Sequence, residues 1–266
     1  MPRLAGVNRA LPRGHLLRQD GSMETLSSKP APVIIGGGIV GLCIAWHLAR
    51  RGLKPLVLEA AKEGAAYTGN AGAISHGSVA PLAMPGVLAQ VPKMLMDPGG
   101  ALHIPARYWL RAMPWLLRFV ASARREKVES AAVALSALLF SAPDRHREIL
   151  AAEGASDLIR EEGQMYLYRN EEQLAKDNAS LALRQKHGLK VQKLVGPALR
   201  ELEPEVSEDY QIGLYLPDHG SCVNPARLAA VVANGVRRMG GEIRVAEVQA
   251  ILTEGKRVVG VRCAGE

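Results

Sequence analysis

The run Val33-Ile34-Ile35-Gly36-Gly37-Gly38-Ile39-Val40-Gly41 constrains this chain more than any other part of it. Three β-branched residues read as a short buried strand and the glycines as a tight turn. The apolar spacing after the turn predicts a helix from about Ile39 to Arg51. Leu56-Val57-Leu58-Glu59 then reads as a second strand ending in a carboxylate. This order suits a dinucleotide pyrophosphate. Gly36 allows the turn, Gly38 lets backbone approach the phosphates, and Gly41 lets the helix lie close to the sheet. The helix N-terminus, at Ile39 and Val40, presents N–H groups and partial positive charge. Glu59, 23 residues after Gly36, is placed to accept hydrogen bonds from ribose hydroxyls and to repel a 2′-phosphate. On the helix, Ile39, Leu42, Cys43 and Trp46 share one face, Arg50 and Arg51 suit the C-terminal dipole, and Gly52 stops it. Trp46 and His47 read as packing residues rather than chemistry.

Composition narrows the partners. An apolar share of 48% supports a real core, and an aromatic share of 4% argues against base-stacking platforms. The net charge of +7 is concentrated at the start, where Arg3, Arg9, Arg13 and Arg18 precede the first acid. Nucleic acid is therefore not an expected partner. Cys43, Cys222 and Cys263 are odd in number and widely spaced, which fits a reducing, cytoplasmic setting. Residues 1–30 match no packed element. They read as a disordered or targeting extension, with Met23 favoured as the true initiator because the first strand begins soon after it. No apolar run approaches the ~20 residues of a membrane span.

After Glu59 comes a stretch of glycine and small residues, Gly64 to Gly86, without periodicity. A long loop of this kind is usually functional or disordered. The pattern turns helical from about Pro85 to Glu162. Trp109, Leu110, Met113, Leu116, Leu117 and Val120 form one apolar stripe, and Ala131 to Leu150 reads as another helix. Next come a strand at Gln164 to Arg169, a polar helix from Glu171 to His187 and a strand at Gly213 to Leu216. Asn224 caps a helix with Pro225 at its first position, and Gly240-Gly241 ends it. Ile243, Val245 and Val248 alternate like a strand. A turn at Thr253 to Lys256 then leads to a strand at Val258 to Cys263.

Several segments together are similar to the FAD-dependent D-amino-acid oxidase superfamily, and most of all to its bacterial D-amino-acid dehydrogenase branch. They are Pro32 to Glu59, Thr68-Gly69-Asn70-Ala71-Gly72-Ala73-Ile74-Ser75, Ala80 to Gly86, Gly163 to Tyr168, Leu216 to Pro225, and Val258 to Val261. The loop around Asn70-Ala71-Gly72 is the specific part, since NAD-binding folds have no such loop after the acid. The resemblance implies an α/β fold: a Rossmann-like FAD-binding domain of the glutathione-reductase type with an inserted α+β substrate domain, C-terminally incomplete. It divides the chain into FAD-binding segments at 31–84 and 218–266 around a partial substrate domain at 85–217. Gly36, Gly38, Ile39, Val40, Gly41, Glu59 and the adjoining Ala60 would hold the ADP half of FAD. Thr68, Asn70, Ala71, Gly72, Ala73 and Ile74 would line the pyrophosphate, ribityl chain and flavin. Backbone at Val248 would meet the adenine, although its side chain reads simply as a sheet residue.

The resemblance further implies oxidative deamination of a D-amino acid by hydride transfer to flavin N5, with a quinone or membrane-surface electron acceptor. The substrate-carboxylate clamp and the segment that closes over the flavin would lie beyond Glu266, so a partner subunit supplying that part is one expectation. A fragment poorly soluble or flavin-free by itself is another, since an incomplete sheet exposes edges. Other readings stand beside the D-amino-acid one. They are a subunit of a heteromeric glycine- or sarcosine-type amine oxidase, a tRNA-modifying flavoprotein, and a non-catalytic remnant. Ser75 and His76 are the catalytic candidates; His76 either faces the flavin or is a loop histidine bonded to backbone. Asp218, His219 and Cys222 lack metal-ligand spacing, and no metal is expected. The Trp109–Val120 stripe, with Arg107, Arg111 and Arg118, either packs within the substrate domain or rests on the inner face of the cytoplasmic membrane. Packing is favoured.

Overall fold

The computed structural model describes residues 15–17, 23–25, 31–60, 66–85 and 104–264. In chain order the elements begin with β1 (His15–Leu17), β2 (Met23–Thr25), β3 (Val33–Ile35), α1 (Ile39–Arg50), β4 (Leu56–Glu59) and β5 (Ala73–Ile74). Three helices come after β5: α2 (Trp109–Ser122), α3 (Arg125–Leu139) and α4 (Ala142–Ala152). Next are β6 (Ile159–Arg160), β7 (Gln164–Tyr168), α5 (Glu171–Lys186), β8 (Gln192–Val195), α6 (Pro197–Leu202), β9 (Ile212–Leu216) and β10 (Gly220–Cys222). The chain then runs through α7 (Pro225–Arg238), β11 (Glu242–Val245), β12 (Val248–Glu254) and β13 (Arg257–Cys263). Two compact units result. One takes Met1–Gly72, Ile149–Leu158 and Val223–Glu266, the other Ala73–Glu148 and Ile159–Cys222. The junctions at Gly72 and Cys222 differ from the sequence-based boundaries at 84 and 217.

In the first unit β3, β4 and β11 form a parallel sheet with β4 at its centre. Leu56, Val57 and Leu58 are buried, as a continuous apolar run in a parallel strand should be. The buried face of α1 is Leu42, Ala45, Trp46 and Ala49, rotated from the face expected through Ile39 and Cys43. Small Ala45 and Ala49 let α1 lie against its neighbours, and it packs on α7. Trp46 sits in this contact, where its Nε1–H donates to Glu153 Oε1 at 2.8 Å. Arg238 meets the same oxygen at 2.7 Å. A Cβ at Gly235 would stand 2.9 Å from the Trp46 ring, so glycine there permits the approach of the two helices. The predicted cap of α7 is present: Asn224 Oδ1 accepts from Arg227 N at 2.9 Å, with Pro225 in the first turn. β12 and β13 pair as a separate antiparallel ribbon turning at Gly255. The expected single strand through Ile243, Val245 and Val248 is thus two strands, β11 in the parallel sheet and β12 in the ribbon. β1 and β2 also pair antiparallel, so the extension holds two strands that its sequence does not suggest.

The second unit is built on the antiparallel sheet β7-β9-β8. Tyr168, Leu174, Leu189, Ile212, Leu214 and Leu216 make its core, Leu174 coming from α5. The Asn170 side chain caps α5 by accepting from Gln173 N at 3.0 Å. A smaller sheet, β5-β10-β6, joins strands of two or three residues. The helix expected from Ala131 to Leu150 is two helices. The chain turns at Phe140 and Ser141, and Pro143, which lacks an N–H, suits the first turn of α4 rather than a helix interior. The earlier part of the helical stretch expected from Pro85, residues 86–103, lies outside the described residues, as do 61–65 of the glycine-rich loop.

Candidate functional site

The glycines of the first turn have separate reasons to be glycine. Gly36 has φ +101°, a conformation L side chains rarely adopt. Gly41 has a helical backbone, but a Cβ there would lie 2.0 Å from Gly36 O and 3.3 Å from Ile34 Cγ2. Any side chain would push α1 off the sheet. Gly38 is the N-cap of α1, with φ −66° and ψ 173°, ordinary extended backbone. A Cβ on it would meet nothing within 4 Å. Neither strain nor packing therefore requires glycine at 38. What glycine leaves is open space above a helix N-terminus with no side-chain cap and no acid in its first turn. The amides of Ile39, Val40 and Gly41 have no intrahelical acceptor by position. That space, bounded by backbone donors and with no acid in the first turn of the helix, fits a pyrophosphate.

Glu59 ends β4 beside this turn. Its Oε2 accepts from Gly37 N at 2.5 Å, so backbone orients the carboxylate. A Cβ at Gly37 would sit 3.0 Å from Glu59 Cβ and 3.1 Å from Oε2. Gly37 is therefore a fourth glycine that shapes the site. Sequence reasoning misses it as a variable motif position, although three consecutive glycines are the available signal. Ala60 is exposed, and so are Thr68, Gly69, Asn70 and Ala71. Asn70 Oδ1 accepts from Gly72 N at 2.8 Å and Gly72 has φ +69°, an Asx turn that accounts for the spacing of this pair. Val248 opens β12 opposite Cys263.

Ala73, Ile74, Ser75 and His76 belong to the second unit. Ala73 and Ile74 form β5 and pair with Ser221 and Gly220. Ser75 Oγ donates to Gln164 Oε1 at 2.8 Å. His219 Nδ1 lies 3.1 Å from the same oxygen, and Gln164 Nε2 donates to Gly220 O at 3.3 Å. His219 Nε2 accepts from Gly77 N at 3.3 Å, so the ring proton is on Nδ1 and points at Gln164. His219 is 2% exposed. Burial, then the nearby His76 and Arg184, push its pKa down to about 4 against the pull of Asp218. His76 packs edge-on against His219 and Phe140, at ring-centre distances of 5.1 and 5.8 Å. Its Nδ1 is buried without a hydrogen-bond partner, so the backbone bond expected of a loop histidine is not made there. Both histidines line a cavity of about 330 Å³ with Phe140, Arg147 and Asp218 among its walls. In the sequence Gln164 is marked only as the start of a strand, with nothing that points to a role in the site. His219 stands out there only as a metal-ligand candidate.

The sequence pattern described as FAD dependent oxidoreductase (DAO) matches residues 33–266. The chain belongs to that family. It is 33% identical over 232 residues to a D-amino-acid oxidase of Bradyrhizobium diazoefficiens, covering 86% of this chain and 55% of the relative. It is 29% identical over 246 residues to D-amino acid dehydrogenase 2 of Ralstonia nicotianae, covering 88% and 56%. The chain thus spans about half the length of the curated relatives it matches. In fold it is similar to glycine oxidase from Bacillus cereus, with TM-score 0.54, 21% identity, and coverage of 88% of this chain and 51% of that one. FAD is the cofactor of this family, and the glycine turn with its oriented carboxylate fits the ADP half of that cofactor.

Proposed function

We propose that this chain is the FAD-holding part of an enzyme that oxidatively deaminates D-amino acids. The open space over Gly38, next to a carboxylate held by Gly37, is the observation that supports FAD. The likeness to D-amino-acid oxidase and dehydrogenase supports the substrate class. In this reading the amides of Ile39, Val40 and Gly41 bind the pyrophosphate and Glu59 accepts from the adenosine ribose. Thr68 to Ile74 lie along the rest of the cofactor, and backbone at Val248 meets the adenine. Bound FAD supplies the two-electron acceptor for the substrate Cα–H bond. The resulting imino acid hydrolyses to a keto acid and ammonia. Ser75 and His76 come directly after the flavin-lining segment. Their contacts favour shaping that segment over proton transfer, since the Ser75 proton is engaged with Gln164 and both His76 and His219 are buried.

Titration of the purified chain with FAD and with ADP, followed by flavin fluorescence and calorimetry, tests the cofactor. Both ligands are expected to bind competitively, and 2′-phospho-ADP to bind far more weakly. Failure of ADP to displace FAD would sink the assignment of the ADP half. Bleaching of the flavin band near ~450 nm by D-alanine under anaerobic conditions, but not by L-alanine, tests the substrate.

A membrane-surface contact is a second reading, favoured by α2. The sequence favours packing of its stripe, yet Leu110 is 89% exposed and Leu117 62%, with Met113 and Pro114 also exposed on that face. Arg111 and Arg118 flank the stripe, and no acidic residue occurs between Pro98 and Arg125. An apolar stripe edged by arginines suits anionic lipid. Among the described residues no helix is long and apolar enough to cross a membrane. Flotation with vesicles containing phosphatidylserine is expected for the chain and lost in the Leu110→Glu, Leu117→Glu double variant. Equal flotation of both would remove this reading.

A further inference from the structure

The segment assigned to the flavin ends in β5, a strand of two residues. A pair this short has little stability of its own, because each ladder bond contributes only about 1 kcal/mol. The turn after β5 is held by side chains from elsewhere in the second unit. Gln164 Oε1 accepts hydrogen bonds from the Ser75 hydroxyl at 2.8 Å and from His219 Nδ1–H at 3.1 Å. The Gln164 Nε2–H donates to Gly220 O at 3.3 Å, on the strand that pairs with β5. His219 in turn accepts from Gly77 N. The two residues that flank His76 are therefore both fastened, and every proton in the network has one direction. Gly77 packs closely against the His219 ring, since a Cβ there would lie 2.4 Å from Leu189 Cδ1 and 2.9 Å from His219 Nε2.

We propose that Gln164 and His219 are positioning residues for the cofactor, a clamp that fixes the Ser75–Gly77 turn, and with it Ala73 and Ile74, only while His219 is neutral. A second ring proton would sit on Nε2 and face the Gly77 N–H, donor against donor, so that bond is lost. The groups facing His219 oppose the added charge from two sides. His76 comes from the clamped turn and Arg184 from α5. Asp218 favours it, but is paired with Lys190 at 3.0 Å. Asp144, Arg147 and Glu161 line the same cavity and pair with one another through Arg147. Acid therefore opens the clamp, and the retention of FAD inherits that pH dependence. This inference rests on the FAD reading.

The purified chain and three variants test it with two readouts. Long-range 1H–15N spectra report the His219 tautomer and its titration, whether or not FAD is present. FAD dissociation constants measured by fluorescence from about pH 8 to pH 4 report the clamp. The wild type is expected to show the Nδ1–H tautomer and to release FAD as His219 titrates. Gln164→Glu keeps the acceptor and places a carboxylate at Nδ1 but gives up the Gln164 Nε2–H bond to Gly220 O. FAD affinity is therefore expected to fall at neutral pH while both midpoints rise together by about one pH unit or more. Gln164→Leu is expected to lower FAD affinity about tenfold at neutral pH, with Gln164→Asn recovering part of it. An Nε2–H tautomer in the wild type overturns the proposal. So does a rise in the His219 midpoint of Gln164→Glu that leaves FAD release unmoved. Absence of FAD binding at every pH would instead overturn the FAD reading on which the clamp depends.

Discussion

The glycine turn after β3 and the polar cluster around Gln164 solve the same problem with opposite means. Both fix a short irregular segment beside a strand. The turn does so by removing side chains: Gly36 by its φ, Gly41 by the 2.0 Å a Cβ would leave to Gly36 O, and Gly37 by its approach to Glu59. Its donors are backbone amides, whose direction does not vary with pH. The cluster adds side chains instead, and its donors and acceptors depend on the protonation of one buried imidazole. The phosphate-facing backbone of the turn should therefore answer to volume more than to pH, whereas the side-chain-built cluster should answer to pH and to polarity.

The hardest test of that difference is Gly41→Val against Gly38→Val. Valine at 41 overlaps Gly36 O and Ile34, and overpacking of this severity is expected to cost about 3 kcal/mol or more and to abolish FAD binding. At 38 an added Cβ meets nothing within 4 Å, and the φ is one any residue adopts. Valine there should leave the thermal midpoint nearly unchanged while lowering ADP and FAD affinity by about a hundredfold, through loss of the approach to the phosphates. Equal destabilisation by both variants would mean that position 38 serves packing, and the cradle would lose its support.

The cluster should show the next largest effect, and only in acid. His219 takes a proton near 6.5 when unfolded and near 4 when folded. Its contribution is fully present above about pH 6.5 and is lost as pH falls from there through about 4. That loss is worth on the order of 3 kcal/mol. Urea unfolding at several pH values, compared between wild type and His219→Phe, isolates it. The stability difference between the two should shrink toward low pH. A difference independent of pH would mean that His219 is not held neutral by the fold.

These two regions are unequally legible in the sequence, for a physical reason. The strand, turn, helix and acid are consecutive, so periodicity and glycine spacing display them, and Asn224 and Pro225 display the cap of α7 in the same way. The cluster joins Ser75 to Gln164 across 89 residues and Gln164 to His219 across 55, which no local pattern encodes. For the same reason the sheet β5-β10-β6 escapes a sequence reading, its strands being too short to show alternation. The stripe of α2 shows a different limit. Helical periodicity locates an apolar face, but whether that face is covered is a property of the rest of the molecule.

The smallest expected effect separates the hub of the cluster from its periphery. Ser75→Ala removes one of the two protons that Gln164 Oε1 accepts and leaves His219, Gly77 and Gly220 bonded as before. The acceptor is not orphaned, because His219 Nδ1 still reaches it at 3.1 Å. The cost should therefore be that of one ordinary hydrogen bond, about 1 kcal/mol in urea unfolding, with the pH dependence of stability unaltered. Gln164→Leu leaves Ser75 Oγ, His219 Nδ1 and Gly220 O without their partner in a largely buried place. It should cost about two to three times as much and change the pH profile. If Ser75→Ala instead matched Gln164→Leu in both cost and profile, the serine would be the residue that holds the turn. The network would then run from β5 outward rather than from β7 inward.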